Sequence, residues 1–431
     1  MPRVLLLATT TGYQTRAFGE AAERLGVDLL FATDRCDVLE DPWRDRAVPI
    51  RFSDESASAR AIIELARTSP LDGVLAVGDR PTVIASLVQE GLGLPGHPSA
   101  ATAAARNKLL TRERLRALAP PTHWFRPISI AMDPWELAAS VSFPCVLKPL
   151  ALSGSRGVMR VENGAALVTA LHRLRALLDG PDLRGEPRDT RDLALVEGFV
   201  EGREFALEAL MHHGTLHPLA IFDKPDPLDG PFFEETLYVA PSAASADEQR
   251  AMITAVDQAA RALGLRHGPI HAECRVNEGG VFVLEVAARP IGGLCARALR
   301  FDRKGDPGSP VSPAISLEEL LLRHALGESP EDWTRETSAS GVMMIPIPRR
   351  GVFRGVAGLD AAGRVPFIDD VRITAKVDQL LLPLPEGATY LGFIFAHAST
   401  PAQVDQALRA AHARLEFSFD PELRVLQSAH G

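Results

Sequence analysis

A carboxylate, a guanidinium and a glycine pair stand within one short stretch of this sequence. In VFVLEVAARPIGG, Val281–Gly293, Glu285, Ala287 and Arg289 take every second position of an apolar, strand-like run that ends at Gly292-Gly293. Side chains at i, i+2 and i+4 of a strand share a face, so these residues point into one space. Just upstream, PIHAECRVN sets Glu273 on the face of His271 and Arg275. Two convergent carboxylates suit Mg2+, a hard cation completed by water and phosphate oxygens. An arginine beside them would stabilise developing phosphoryl or oxyanion charge, and the glycine pair would offer backbone N–H groups to a carboxylate. Convergence depends on register. A two-residue turn at Glu278-Gly279 separates Glu273 from Glu285, whereas a three- or five-residue loop pairs Glu273 with Val283 and joins them on one side. Glycines at 279 and 280 allow the bulged three-residue loop. A cross-strand ion pair such as Glu285 with Arg275 is the plainer alternative.

Two earlier stretches could handle a nucleotide. In VLKPLALSGSRGV, Val146–Val158, a strand delivers Lys148, and a loop carrying Ser153, Gly154, Ser155 and Gly157 leads to Val158. Glycines let backbone N–H groups approach phosphate oxygens, and a lysine adds a point charge. The exit is strand-like and GxxxxGK[ST] is absent, so this is no P-loop. Taken alone, an ordinary hairpin with an exposed lysine is the simpler reading. In LVEGFVEGREFALEAL, Leu195–Leu210, an apolar run breaks at Glu197-Gly198-Phe199-Val200 and resumes with Glu204 and Glu208 on one face. The break exposes backbone groups for an adenine edge, with a carboxylate near for ribose hydroxyls. Two solvated glutamates are again the simpler reading. His212, His213 and His217 surround Gly214 and have zinc-ligand chemistry, but MHHGT reads first as a solvated hairpin tip.

These residues require a scaffold, and the chain has the means to build one. Its 431 residues exceed the size at which one core stops growing, so two or three packed units are expected, and 46% hydrophobic residues supply the cores. A balance of 46 basic against 55 acidic residues, net -9, with arginines scattered, excludes a nucleic-acid footprint. Cys36, Cys145, Cys274 and Cys295 are far apart, without a CxxC pair, which fits a reducing cytoplasm. The VLLLA run is too short for a signal segment and no run reaches membrane-spanning length, so no membrane is expected. RVLLLAT, a Gly12 loop, RAFGEAAERLG, VDLLFATD, ASARAIIELART and GVLAVG alternate strand with helix, the pattern of a parallel α/β unit. GxGxxG is absent, so a dinucleotide site is not expected. A helix with Leu167, Ala170, Leu171, Leu174, Leu177 and Leu178 inward should stop at Gly180-Pro181. Another should start at the capping box Ser245/Glu248, turn Met252, Val256 and Leu263 inward, and end at Gly264. Met343 and Met344 read as core, and a last helix should be capped at Thr400 with Pro401 and Gln403.

Lysine strand, glycine loop, EGFVEGREF hinge, paired glutamates and ExxxRxxGG, in that order, resemble the ATP-grasp superfamily over roughly residues 98–300. RNKLLTRERL at 106–115 looks like the family's lysine-bearing helix. GPFFEETLYVAPS at 230–242 is similar to the substrate segment of bacterial L-amino-acid ligases within the carboxylate-amine ligase branch. The resemblance implies an α/β and α+β multidomain fold. It would comprise a Rossmann-like domain over 1–97, a central ATP-grasp domain over 98–300 with a flexible lid at about 133–195, and a C-terminal region over 301–431. By position it implies that Lys108 and Lys148 hold ATP phosphates, with Ser153, Gly154, Ser155, Gly157 and Val158 closing over them. Glu197 and the backbone of Gly198 and Val200 would meet adenine, and Glu204 the ribose. Glu273 and Glu285 would hold two Mg2+ ions, with Mn2+ as substitute. Arg289 would stabilise an acyl phosphate, and Glu235, Tyr238, Gly292 and Gly293 would face the substrates. Ala287 stands where many relatives have Asn, and Tyr238 where related ligases often have His. The implied activity is dipeptide or amide formation from an amino acid or small carboxylic acid and an amine, with the homodimer as the assembly to look for. Other readings are a ligase or carboxylase for a different small acid, and a nucleotide-binding module without turnover.

Overall fold

In this computed structural model, residues 1–9, 14–34, 48–118, 123–305 and 313–422 are described. The Gly12 loop and Cys36 lie outside them. The first strand–helix alternation folds into a parallel sheet ordered Val48–Pro49, Asp28–Thr33, Arg3–Ala8, Gly73–Val77. Val4 to Leu7 are fully buried, as a parallel strand covered on both faces requires. Gly78 and Asp79 follow the last of these strands, at the carboxyl edge where open α/β sheets place functional groups.

A second, antiparallel sheet is ordered Phe125–Ser129, Leu193–Gly198, Cys145–Pro149, Met159–Val161. Helix Gly164–Leu178 starts at its Asn163 cap and turns Leu167, Ala170, Leu171, Leu174 and Leu178 onto this sheet. The third and largest sheet is antiparallel throughout. Its order is Gly280–Ala287, Gly268–Asn277, Arg203–His212, Thr215–Asp223, Leu237–Ala240, Ala339–Ile345, Gly392–Ala398, Ile368–Ile373. It thus draws strands from both sides of residue 300.

Helix Ala246–Leu263 has the expected capping box and a left-handed Gly264 at its end. It buries Met252, Val256 and Leu263 against Phe205, Leu207 and Ala209. Because strand side chains alternate, covering that face leaves Glu204, Ala206 and Glu208 on the other one. Helix Pro401–His412, with the Thr400/Gln403 capping box, covers the C-terminal strands, and Met343 and Met344 are core. Cys145, Cys274 and Cys295 are free and buried. Among the described residues no helix is long and apolar enough to cross a membrane.

Candidate active site

The turn between Gly268–Asn277 and Gly280–Ala287 is the two-residue one, with Asn277 opposite Gly280, which on register alone would separate the carboxylates. A bulge corrects the phase. Cys274 pairs with Val283, the next pair is Glu273 with Glu285, and Leu284 is the extra residue. Glu273 and Glu285 are therefore direct cross-strand partners on one face. The expected longer loop is not what joins them. On the other side of Gly268–Asn277, Arg275 lies opposite Glu204 and His271 opposite Glu208. Three adjacent strands thus present one charged face. Glu204 and Glu208 are buried beneath it, at 8% and 2% exposure, so the reading of solvated glutamates fails. Arg275 engages Glu204 at 2.8 Å, not Glu285.

That face floors a cavity of about 860 Å³, within the range of small-molecule sites. Lys108, Lys148, Ser153, Gly154, Ser155, Val158, Glu197, Gly198, Val200, Glu204, Glu235, Tyr238, Glu273, Glu285, Arg289, Gly292 and Gly293 all line it. Gly157 does not. Its φ is 73°, its N–H donates to the Pro385 carbonyl at 2.8 Å, and a Cβ there would meet Leu177 at 2.9 Å. It shapes the loop rather than facing the space. Arg156 also donates to the Glu386 carbonyl, at 2.9 Å, so residues 385–386 hold the glycine loop against the cavity mouth.

Lys148 and Glu197 share a face of the second sheet and form an ion pair. Arg112, one turn after Lys108 in helix Lys108–Leu115, completes it with contacts of 2.7 and 3.2 Å to Glu197. Burial alone would raise Glu197, but Arg112 and Lys148 hold it at about 2. For Lys148 burial outweighs Glu197 and, with Arg112 adding to it, brings the ammonium down to about 8. The backbone at the hinge is partly committed: Gly198 N–H donates to Trp124 and the Val200 carbonyl accepts from Arg275. Lys108 donates to the Leu152 carbonyl at 2.7 Å and lies 3.5 Å from Glu285. Arg289 contacts Asp79, just beyond the last strand of the first sheet, at 2.9 Å, so the N-terminal unit closes the cavity wall.

Lys224 sits at the centre of the acidic floor, only 3% of its side chain exposed. It contacts Glu204 at 2.9 Å, Glu273 at 3.0 Å and also Glu235. Burial would lower its pKa, but the three carboxylates raise it well above the usual range. Burial, with Glu273 adding to it against Lys224, brings Glu235 up to about 7. Glu273, despite burial, is held well below the ordinary carboxylate value by Lys224 and His271. Glu204, Glu235 and Glu273 are close enough to share a metal ion, but the Lys224 ammonium already sits in contact with all three. The Glu273–Glu285 pair fits a hard divalent cation better, being all-oxygen and open to the cavity, with side chains 23% and 28% exposed.

His271, opposite Ala287, bonds Glu208 through Nδ1 and lies 3.7 Å from Glu273 through Nε2. Burial opposes its charge, but Glu208 and then Glu273 raise it to about 9. A folded-state value above the ordinary 6.5 gives stability that is complete below pH 6.5 and lost as pH rises through about 9. Wild-type unfolding free energy is thus expected to drop by about 1–3 kcal/mol across that window. In His271→Gln the drop should be smaller, and urea titrations at both ends check it. An equal drop in the variant would remove His271 as its source.

Sequence reasoning passed over Asp79, Arg112 and Lys224. Only Arg112 had a local signal, its i, i+4 spacing from Lys108.

Residues 141–298 match the ATP-grasp domain family, 19–96 the ATP-grasp N-terminal domain, and 343–420 the L-amino acid ligase C-terminal domain 2. The fold is similar to the crystal structure of an L-amino acid ligase from Bacillus licheniformis, with a TM-score of 0.80 and 26% identity over 97% of this chain and 99% of that one. In sequence the chain is 31% identical to carnosine synthase 1 of Gallus gallus over 328 residues, 71% of this chain. It spans only 34% of the length of that synthase. It is also 27% identical to a D-alanine–D-alanine ligase of Marinobacter nauticus over 252 residues, 57% of this chain and 70% of that enzyme.

Proposed function

The chain belongs to the ATP-grasp superfamily, in its carboxylate-amine ligase branch, and from that premise we propose that it joins the carboxylate of one amino acid to the amino group of a second amino acid or amine, using ATP. One observation carries the reading. A single cavity brings Lys108 and Lys148, the Glu273–Glu285 pair, Arg289 and an acidic floor at Glu235 together from segments far apart in the chain.

A carboxylate does not acylate an amine at neutral pH, because its leaving group would be oxide. Transfer of the γ-phosphoryl group to the carboxylate oxygen releases ADP and leaves an acyl phosphate. The amine then attacks the acyl carbon, phosphate departs, and the ammonium proton is lost to solvent or a base. Lys108 and Lys148 would hold ATP phosphates, with Ser153 to Val158 closing over them, and Glu197, Gly198, Val200 and Glu204 would border the nucleoside. Glu273 and Glu285 would hold Mg2+ or Mn2+, which supplies charge neutralisation at the phosphates. Arg289, fixed by Asp79, would stabilise the oxyanion with the Gly292-Gly293 backbone. Glu235 would receive a substrate ammonium. Tyr238, Met344, Tyr390 and Phe393 form an apolar wall beside it, which favours an apolar side chain on that substrate. Acyl phosphates hydrolyse, so the loop held at residues 385–386 would exclude water.

The test is Mg2+-dependent phosphate release from ATP with single amino acids and pooled pairs, followed by mass spectrometry. Release that needs amino acids and gives a mass equal to their sum less water is the expected result. ATP binding without release on any pair would overturn the amino-acid reading and turn the search to other acids.

A further inference from the structure

The largest histidine cluster of the described residues lies away from the nucleotide cavity, and none of its members lines that space. His212 ends strand Arg203–His212, and a two-residue turn, His213-Gly214, follows with positive φ at both residues, 50° and 87°. The hairpin tip is therefore where MHHGT placed it, but His212 is only half-exposed there. It packs on His267, just before strand Gly268–Asn277, and on His324 of helix Leu317–Ala325. That helix lies against the N-terminal sheet, since a Cβ on Gly73 would fall 2.7 Å from the Ala325 carbonyl.

His324 is 2% exposed and His267 6%, and the two rings stack with centroids 4.2 Å apart. Neither ring nitrogen of His267 makes a well-formed hydrogen bond among the described residues, the His324 backbone approaching without completing one. Buried imidazole nitrogens without a partner carry a desolvation cost that proteins rarely leave uncompensated. His97 has no such debt: its Nδ1 accepts from Arg266 N–H at 3.0 Å and its Nε2 meets the Pro269 carbonyl at 3.2 Å. It clamps the loop that presents His267.

We propose that His212, His267 and His324 bind a first-row divalent cation of the zinc type, with His213 as the fourth ligand, bracing the central hairpin to helix Leu317–Ala325. One nitrogen from each of the three lies within 4.8 Å of the others, and His212 Nδ1 is 3.2 Å from His324 Nε2. Zinc–nitrogen bonds of about 2.0–2.1 Å in a tetrahedron put ligand nitrogens about 3.3 Å apart, so one edge already has the required length. The remaining edges, at most 4.8 Å, must close by up to about 1.5 Å to reach that length. The His213 ring is 4.5 Å from that of His212 and 4.9 Å from that of His267, within reach after a side-chain rotation at the exposed turn. An all-imidazole set selects zinc, cobalt, nickel or copper over magnesium. Burial first and neighbouring imidazoles second hold His267 at about 4 and lower His324 and His212. All are then neutral at physiological pH, the form that ligates.

The probe is Co2+ added to chelator-treated full-length protein, followed by Zn2+. The expected result is a tetrahedral ligand-field absorption saturating at one equivalent and lost on adding Zn2+. An oxygen-lined site such as Glu273–Glu285 would give only weak octahedral bands. His212→Asn and His267→Asn should each weaken binding by about 100-fold, at least the loss typical of perturbing a ligand's support. Imidazole 15N signals of the wild type give a readout without substitution: those of the cluster should shift with one equivalent of Zn2+. Absence of a tetrahedral band in folded wild type, or a band of full strength in both variants, would overturn the site and leave the cluster as plain buried packing.

Discussion

Glu285→Ala is expected to lower Mg2+-dependent ATP turnover by about 10³-fold while leaving the protein folded. The two parts of that expectation have different causes. Glu285 faces the cavity as the cross-strand partner of Glu273, and in the proposed reaction both carboxylates would hold the divalent cation that offsets phosphate charge bound at Lys108 and Lys148. Without Glu285 the site loses half of its divalent-cation donor pair, and Lys108, 3.5 Å away, loses its counter-charge. That ion pair is partly open to solvent, so its contribution to stability should stay below about 1 kcal/mol. A melting temperature near the wild-type value, beside the lost turnover, separates a chemical defect from a folding one. The Mg2+ concentration for half-maximal residual activity should also rise. Retention of more than about a tenth of wild-type turnover at saturating Mg2+ would remove Glu285 from the proposed metal pair and move the search to other oxygen donors.

The way this site is assembled explains what could be read from the chain. Helices such as Gly164–Leu178 and Ala246–Leu263 carry their own apolar stripes and end signals within one segment, so the end of the first and both ends of the second were legible. The order of lysine strand, glycine loop and paired glutamates likewise lies along the sequence. Whether Glu273 meets Glu285 was not local. It turned on one inserted residue, Leu284, and the sequence alone allowed both a register that joins the carboxylates and one that separates them. Asp79 escaped notice because its partner Arg289 lies 210 residues on. His212 showed its neighbours Gly214 and His217 in the sequence, yet the rings that pack on it, His267 and His324, come from distant segments. Charges buried by long-range contact look like surface charges until the fold brings their partners.

Lys224 is the strongest instance, and Lys224→Met should be the most destabilising single change at the site. Methionine nearly keeps the volume of the lysine stem but leaves the partly buried Glu235 without its cation, and Glu204 and Glu273 with only Arg275 and His271 for counter-charge. Breaking a buried charge cluster by removing one side costs about 3–5 kcal/mol. The pH dependence follows from the same carboxylates. In wild type Glu235 is already raised to about 7, while Glu273 is held low by the lysine. Without the lysine Glu235 rises further above the ordinary carboxylate range and Glu273 loses its main lowering charge, so the stability tied to Glu235 is retained below about pH 4.3 and lost as pH rises through its raised value. The deficit should therefore be largest above pH 7 and shrink toward pH 5, as urea midpoints across that range would show. The three carboxylates also come close enough to share a cation once the ammonium is gone. Mn2+ at about 100 times its dissociation constant for that site should then restore about 2.7 kcal/mol to the variant, over and above the stabilisation that cation binding at Glu273–Glu285 gives wild type. A loss that is independent of pH and unmoved by Mn2+ would mean that Lys224 acts through packing, and that its charge is not what holds the floor of the cavity together.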